Sequence, residues 1–467
     1  MGALRRHNLL QPSRAALARR RLAHIAWHDT EDGALAAEGL ALVEERQGRV
    51  RQWRLERVAP AEGEAPSVVG AALASAGRPE ALGRELPGPL RTVARFEGTR
   101  RSAELAGGDG QVALLEGALH TSRGEMRVAR LVLSGAPGGA FALADGLLAD
   151  LPLAVPGASL AEEALGVARA DAPAASPLLP AGLEVGEALA WLVAVLTRVL
   201  LVLAPGAAAG KASEPVHQMR VALRRLRTAI ALLKPLLPAA AALAEASEGL
   251  RGLARALGPA REWDVFLEGT APAIKAAFPE DAAIARLLEG ARRRREGAYA
   301  ALREELAGAG FRRLMLRLAA IAVLRPWRRE GERGPETPLA TVAPALLQRR
   351  HRKLLSAAAE IETADAAHLH AVRLRAKRLR YAGELLCSLF PRKEVARFLR
   401  RLVRLQDRLG ILNDAACVER LLGELGRTGS GRAGGIVLGF VAASAVRERS
   451  RIGPTWRKFR KHPGFWG

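Results

Sequence analysis

From about residue 185 to the end, apolar residues return every third or fourth position, the period of a helix with one buried face. Leucine and alanine abound there and β-branched residues are sparse, which favours helix again. The pattern predicts helices near 185–204, 214–234, 239–258, 262–278, 281–307, 309–323, 339–360, 366–390, 393–410, 414–426 and 431–449, with Pro205, Pro235, Pro238, Pro279, Pro326 and Pro391 as punctuation. The first 165 residues read instead as strands and turns with a few helices. AEGLALVEERQGRVRQWRLERV (37–58) predicts a hairpin turning near Gln47-Gly48, and QVALLEGALH (111–120) and EMRVARLVLSG (125–135) predict two strands around Thr121–Gly124. FALADGLLADLPLAV (141–155) predicts a short helix ending in a strand. VARADAPAASPLLPAGL (166–182), rich in Ala, Pro and Ser, predicts a linker. The fold class that follows is an α+β N-terminal domain of antiparallel β character (1–165), a linker (166–184) and an all-α bundle (185–467).

The helical part repeats itself. VHQMRVALRRLRTAIALL (216–233) and LHAVRLRAKRLRYAGELL (369–386) align at an offset of 153, pairing His217 with His370, Arg220 with Arg373, Arg224 with Lys377, Arg225 with Arg378 and Arg227 with Arg380. LARALGPAREWDV (253–265) and LQDRLGILNDAAC (405–417) align at 152 through a shared L-x-x-x-L-G and a following acid. Two ordered motifs at nearly one spacing predict a duplicated bundle with pseudo-twofold symmetry, its halves at about 185–335 and 336–467.

Charge sharpens the division. The 467 residues carry a formal net charge of +23. Residues 185–467 hold 50 Lys and Arg against 26 Asp and Glu, while residues 1–184 hold 21 against 22, so all the excess lies in the helical part. Such a balance points to a polyanionic partner. Cys387 and Cys417 sit in no CxxC or zinc pattern, so neither a metal nor a cofactor is expected, and a reducing cytoplasm is the expected setting. The N-terminus lacks the apolar core of a secretory signal. The most apolar run, LVAVLTRVLLVLAP (192–205), contains Arg198 and stops at Pro205. It reads as a buried bundle helix too short for a bilayer, and no membrane partner is expected.

On a helix of 3.6 residues per turn, Met219, Leu223, Leu226, Ile230 and Leu233 form an apolar stripe, with His217, Arg220, Arg224 and Arg227 on an arc opposite. His370, Arg373, Lys377 and Arg380 take the matching arc of the second copy, and Arg225 and Arg378 flank the two arcs. Cations stacked this way repel by a few tenths of a kcal/mol per pair, roughly, and no acid lies within either arc. A row of phosphates would relieve the repulsion, and Arg forks suit phosphate oxygens. Phe, Trp and Tyr together make only 4% of the chain, too few for the stacking platforms of single-stranded nucleic-acid binders. The expected ligand is therefore phosphate without bases, which leaves nucleic acid as a less favoured partner.

At these residues the chain resembles the CHAD domains, a helical family named for conserved histidines. The resemblance rests on H-x-x-R-V-x-x-R-R-L-R (217–227), L-H-x-x-R-x-x-x-K-R-L-R-Y (369–381), LGPAREWDV, LQDRLGILND and the closing WRKFRKHPGFW (456–466). It spans about 185–467. It implies non-enzymatic binding of inorganic polyphosphate in the cytoplasm, often at polyphosphate granules, through His217, Arg220, Arg224, Arg225, Arg227, His370, Arg373, Lys377, Arg378 and Arg380. WHDTEDGALAAEGLALVEERQGRVRQWRLERV (27–58) resembles the hairpin of CYTH domains, of the triphosphate tunnel fold, which often precede CHAD. Here the catalytic pattern departs. No E-x-E-x-K strand opens the chain, Val43 and Glu45 stand where basic residues belong, and Arg127, Ala129 and Leu131 stand where acids belong. The resemblance thus implies a degenerate tunnel-like domain without catalytic residues. The alternatives are a triphosphatase or related phosphohydrolase acting through the first domain, or a nucleic-acid binder.

Overall fold

The computed structural model describes residues 7–13, 17, 19–48, 50–58, 72–76, 88–105, 110–166, 177–238, 240–328 and 337–467. Most of the expected linker, 167–176, lies outside the described residues.

The N-terminal part is an antiparallel sheet of seven strands: β1 (Arg21–Thr30), β2 (Leu40–Gln47), β3 (Val50–Arg57), β4 (Ala72–Ala76), β5 (Leu90–Glu104), β6 (Gly110–Thr121) and β7 (Gly124–Gly135). Their order is β4-β3-β2-β1-β5-β6-β7. The hairpin expected at 37–58 is β2–β3, turning at Gly48 with φ 61°, a conformation that glycine adopts without strain. The pair expected around Thr121–Gly124 is β6–β7. Between β1 and β2 lies a one-turn helix, α1 (Ala34–Ala37). Asp29, almost fully buried, explains the WHDTEDG motif: its carboxylate accepts from the amides of Leu35 at 2.9 Å and Ala36 at 3.0 Å, tying the turn of α1 to the end of β1. Helix α2 (Pro137–Asp150) follows β7, and the strand expected at its end does not form. Helix α3 (Leu160–Leu165) begins with a capping box of Ser159 and Glu162.

One face of the sheet carries Ile25, Trp27, Val43, Phe96, Leu119 and Val128, packed with Ala161 and Ala164 of α3. Register places Glu45, Arg54, Glu56, Arg100 and Arg130 on this same face. Every one of these ions has a partner. Arg54 reaches Glu45 at 2.6 Å and Glu56 at 3.1 Å, Arg100 pairs with Glu45, and Arg130 pairs with Glu163 of α3. Glu45 therefore does more than replace a basic residue: nine-tenths and more buried, it holds two guanidinium groups together. The pleat also turns Val128 and Arg130 to this face, so Arg127, Ala129 and Leu131 belong to the other one. That other face packs Val112 and Leu114 against Leu147 and Leu151.

The rest of the chain is helical: α4 (Val185–Ala209), α5 (Glu214–Leu233), α6 (Ala240–Val265), α7 (Ala271–Ala277), α8 (Ala282–Ala307), α9 (Ala309–Leu324), α10 (Leu339–Ala357), α11 (Ala366–Leu385), α12 (Arg392–Glu424), α13 (Arg427–Ser430) and α14 (Arg432–Arg460). Two expected breaks are absent. Helix α6 runs through Gly258-Pro259, and α12 runs through residues 411–413. Helix α4 likewise runs past Pro205 to Ala209, which overturns the length argument made from sequence. With 25 residues and an 18-residue window of mean hydropathy 2.2, it is long and apolar enough to cross a membrane. Leu189, Leu192, Val193, Leu196 and Leu200 are nevertheless buried within the chain, and Arg198 pairs with Glu162.

Two compact units emerge. The first contains residues 1–173 with 193–202 and 308–326, so the middle of α4 and all of α9 count with the sheet. The second contains 174–192, 203–307 and 327–467. In the first unit Arg313 of α9 grips Asp145 of α2 through two hydrogen bonds, at 3.0 and 2.7 Å.

Candidate functional site

Helices α5 and α11 lie against each other in the second unit. Helix α5 buries Val216, Met219, Leu223, Leu226, Ile230 and Leu233, the stripe expected from its period, and α11 buries Leu369, Val372, Ala376, Leu379 and Ala382. What remains on each helix is basic. His217, Arg220, Arg224 and Arg225 are half-buried on α5, as are Arg373, Lys377 and Arg380 on α11.

Six of these cations form one electrostatic cluster. The Arg224 guanidinium stacks 4.3 Å from the centre of the Tyr381 ring on α11, and Arg380 approaches the same ring at 5.1 Å. Burial, then Arg373, Arg224 and Arg380, lower the Lys377 ammonium to a pKa of about 8. Burial also depresses Arg220, Arg224 and Arg225, and their cationic neighbours add to the effect. His217 falls below the usual imidazole value through burial and the charge of Arg261 on α6, so at neutral pH it is a neutral hydrogen-bonding group. The Nε atoms of Arg224 and Arg373 are buried without a hydrogen-bond partner.

Acids border the cluster, and neither arc revealed them. Glu384 pairs with Arg380 at 3.2 Å one helical turn away and also acts on Arg224 and Arg225. Glu262 of α6 acts on Arg220, and Asp414 of α12 acts on both Arg373 and Lys377. Asp414 is exposed as a residue, yet the protein crowding its carboxyl raises its pKa against the pull of those two cations. Glu262 and Asp414 occupy the matching acid position of the second repeated motif, so the signal was present in the alignment. Tyr381 closes the second basic motif, and only the folded pairing reveals its contact with α5. Gly258, in the same motif as Glu262, lies beside Arg220: a Cβ there would sit in ordinary contact, 3.7 Å from its Nη1.

Three expected site residues are more exposed than the cluster. Arg227 is exposed, and the charge it feels is that of Arg251 on α6. Arg378 is exposed, and its charge acts on Arg350 of α10. His370 is exposed at the start of α11.

The geometry defines an all-α unit whose central helix pair presents a crowded basic face. Residues 192–423, a span that includes α5, α6 and α11 and nearly all of α12, match the CHAD domain. The crystal structure of the CHAD domain from the plant Ricinus communis is similar, with a TM-score of 0.54 and 26% identity, covering 62% of this chain and 96% of that one. PptA from Streptomyces chartreusis matches with a TM-score of 0.43 and 16% identity, over 59% of this chain and 98% of that one. No curated protein matches the chain. This chain carries a CHAD domain, preceded by an antiparallel seven-stranded sheet.

Proposed function

We propose that the chain binds inorganic polyphosphate without hydrolysing it, along the face shared by α5 and α11. The CHAD-domain match supports this role at the level of the family. The observation that carries it here is the six-cation cluster, crowded on the one face where α5 and α11 meet. Arg220, Arg224, Arg225, Arg373, Lys377 and Arg380 hold the phosphates, and His217 donates a hydrogen bond beside them. Arg227, Arg378 and His370 extend the binding surface outward for longer chains. Released counterions add affinity, as they do when proteins bind nucleic acids.

The duplication belongs to the same proposal, with domains at 1–165 and 185–467 and repeats at about 185–335 and 336–467. Helices begin at 185 and 339, at 214 and 366, and at 240 and 392. Residue 184 forms an antiparallel bridge with residue 338, the partner it would meet across a twofold axis. That axis makes the two rows halves of one site.

In the first domain, Arg54, Arg100 and Arg130 are bound to glutamates, and Ala161 and Ala164 pack on the same face. Cations already paired with internal acids are poor triphosphate ligands, and acids already paired are poor metal ligands. This supports a non-catalytic role for that domain. The proposed setting is cytoplasmic, at polyphosphate granules. The test is competition between long-chain polyphosphate and RNA of matched charge, together with phosphate release from tripolyphosphate under Mg²⁺ and Mn²⁺. Preferential binding of polyphosphate with no release above a heat-killed control fits the proposal. RNA displacing polyphosphate at equal charge, or turnover abolished by Glu45→Gln, would contradict it.

A further inference from the structure

A second basic surface lies on the opposite flank of α11. Arg349, Arg352, Lys353 and Ser356 share one face of α10 at the spacing of successive helical turns, and Arg375 of α11 meets them across a cavity of about 480 Å³, with Ala357 completing the lining. No acidic side chain lines it. Among the described residues none of its four cations has an ion pair. Some surface arginines of this unit do find acids: Arg251 pairs with Glu248, Arg292 with Glu289, Arg420 with Glu262, Arg432 with Asp281 and Arg457 with Glu362. Four cations without an ion pair thus converge on one concavity.

The surroundings add to the imbalance. Arg350, next along α10, is crowded by Arg349 and by Arg378 of α11. The carbonyl of Ala357, at the end of α10, lies 2.6 Å from the Nε2 of His368, so an acceptor that would repel an anion is already engaged. The lining contains no aromatic ring on which a base would stack. Three guanidinium forks, an ammonium and the Ser356 hydroxyl are instead the groups that hold closely spaced phosphate oxygens. The buried faces of the two helices fix the geometry, since Leu347, His351 and Leu354 of α10 and Val372, Ala376 and Leu379 of α11 all point into the core.

We infer that the cavity between α10 and α11 is a second binding site for a condensed phosphate anion, separate from the face shared by α5 and α11. It takes a short oligophosphate, or a segment of a long chain that also lies on the first face. The class of ligand rests on the α5–α11 reading, but the two sites share no side chain, so each can fail without the other.

Calorimetry of the full chain with tripolyphosphate, too short to span both sites, tests the inference. The quadruple variant Arg349→Ser, Arg352→Ser, Lys353→Ser and Arg375→Ser is expected to lose one binding event and keep the other. A variant with Arg220→Glu, Arg224→Glu, Arg373→Glu and Lys377→Glu is expected to keep the α10–α11 event. If the quadruple variant loses helicity, Arg375→Gln alone is expected to weaken that event about tenfold, the cost of one charge-assisted contact. A long chain then separates the two sources. If one chain occupies both sites, the quadruple variant lowers affinity at unchanged stoichiometry; if they fill separately, it removes bound equivalents at unchanged affinity. Either result supports a second site. An isotherm unchanged by both cavity variants overturns it, as does equal displacement of tripolyphosphate by sulfate at matched ionic strength.

Discussion

Lys377 is the residue whose chemistry the fold changes most, and it makes binding sensitive to pH. Its ammonium is held at a pKa of about 8 by burial and by Arg373, Arg224 and Arg380. A bound polyanion favours the protonated form, so the contribution of Lys377 is full below that value and is lost as pH rises through about 8. Lys377→Arg is expected to abolish this step, because a guanidinium stays charged. An affinity profile flat between pH 7 and 9 in the wild type would contradict it. His217 gives the acid counterpart: its pKa lies below 6.5, so affinity rises further as pH falls through the imidazole's depressed range, and His217→Gln loses that rise. Tyr381 supports the site differently, by holding Arg224 over its ring. Tyr381→Phe keeps the stacking and is expected to bind nearly as the wild type. Tyr381→Leu loses about 0.5–2 kcal/mol of binding, and equal affinities by calorimetry would count against that role.

At the scale of elements, α9 shows how strongly the two parts of the sequence depend on each other. Phe311, Leu314, Met315 and Leu318 are buried, and the helix belongs to the same compact unit as the sheet. A fragment of residues 185–467 retains α5 and α11 and is expected to bind polyphosphate. It is also expected to melt at a lower temperature than the full chain by circular dichroism, since burial contributes about 1.5–3 kcal/mol per large apolar side chain. Equal midpoints would show that α9 needs nothing from the N-terminal part. The basic rows were legible because helical periodicity sorts charged from apolar positions on a single element. Glu384 and Tyr381 were not, because their significance lies in a contact between helices. Strand β5 was missed for a related reason. The consecutive Arg100 and Arg101 break its alternation, and Arg100 becomes tolerable inside only when Glu45 is beside it. The breaks expected near Pro205 and Pro259 failed because Leu201, Ala207, Leu257, Ala260 and Trp263 are buried around them, and packing outweighs the lost backbone bond.

For the molecule as a whole, the central claim is that the rows on α5 and α11 make one continuous polyphosphate face. The net positive charge of residues 185–467 attracts any polyanion, so total charge alone does not test it. Salt dependence is more informative: a variant lacking two cations is expected to have its salt slope shallower by roughly two. The most direct measurement is calorimetry of the full chain with long-chain polyphosphate, comparing Arg220→Glu with Arg224→Glu on one row and Arg373→Glu with Lys377→Glu on the other. These half-buried side chains border the site rather than the apolar core, so helicity should persist and is checked by circular dichroism. A shared face predicts that either double variant loses most of the affinity, at about 1.5–3 kcal/mol per charge-assisted contact. Half the wild-type stoichiometry at near-native affinity, with helicity intact, would mean two independent rows and would contradict the account.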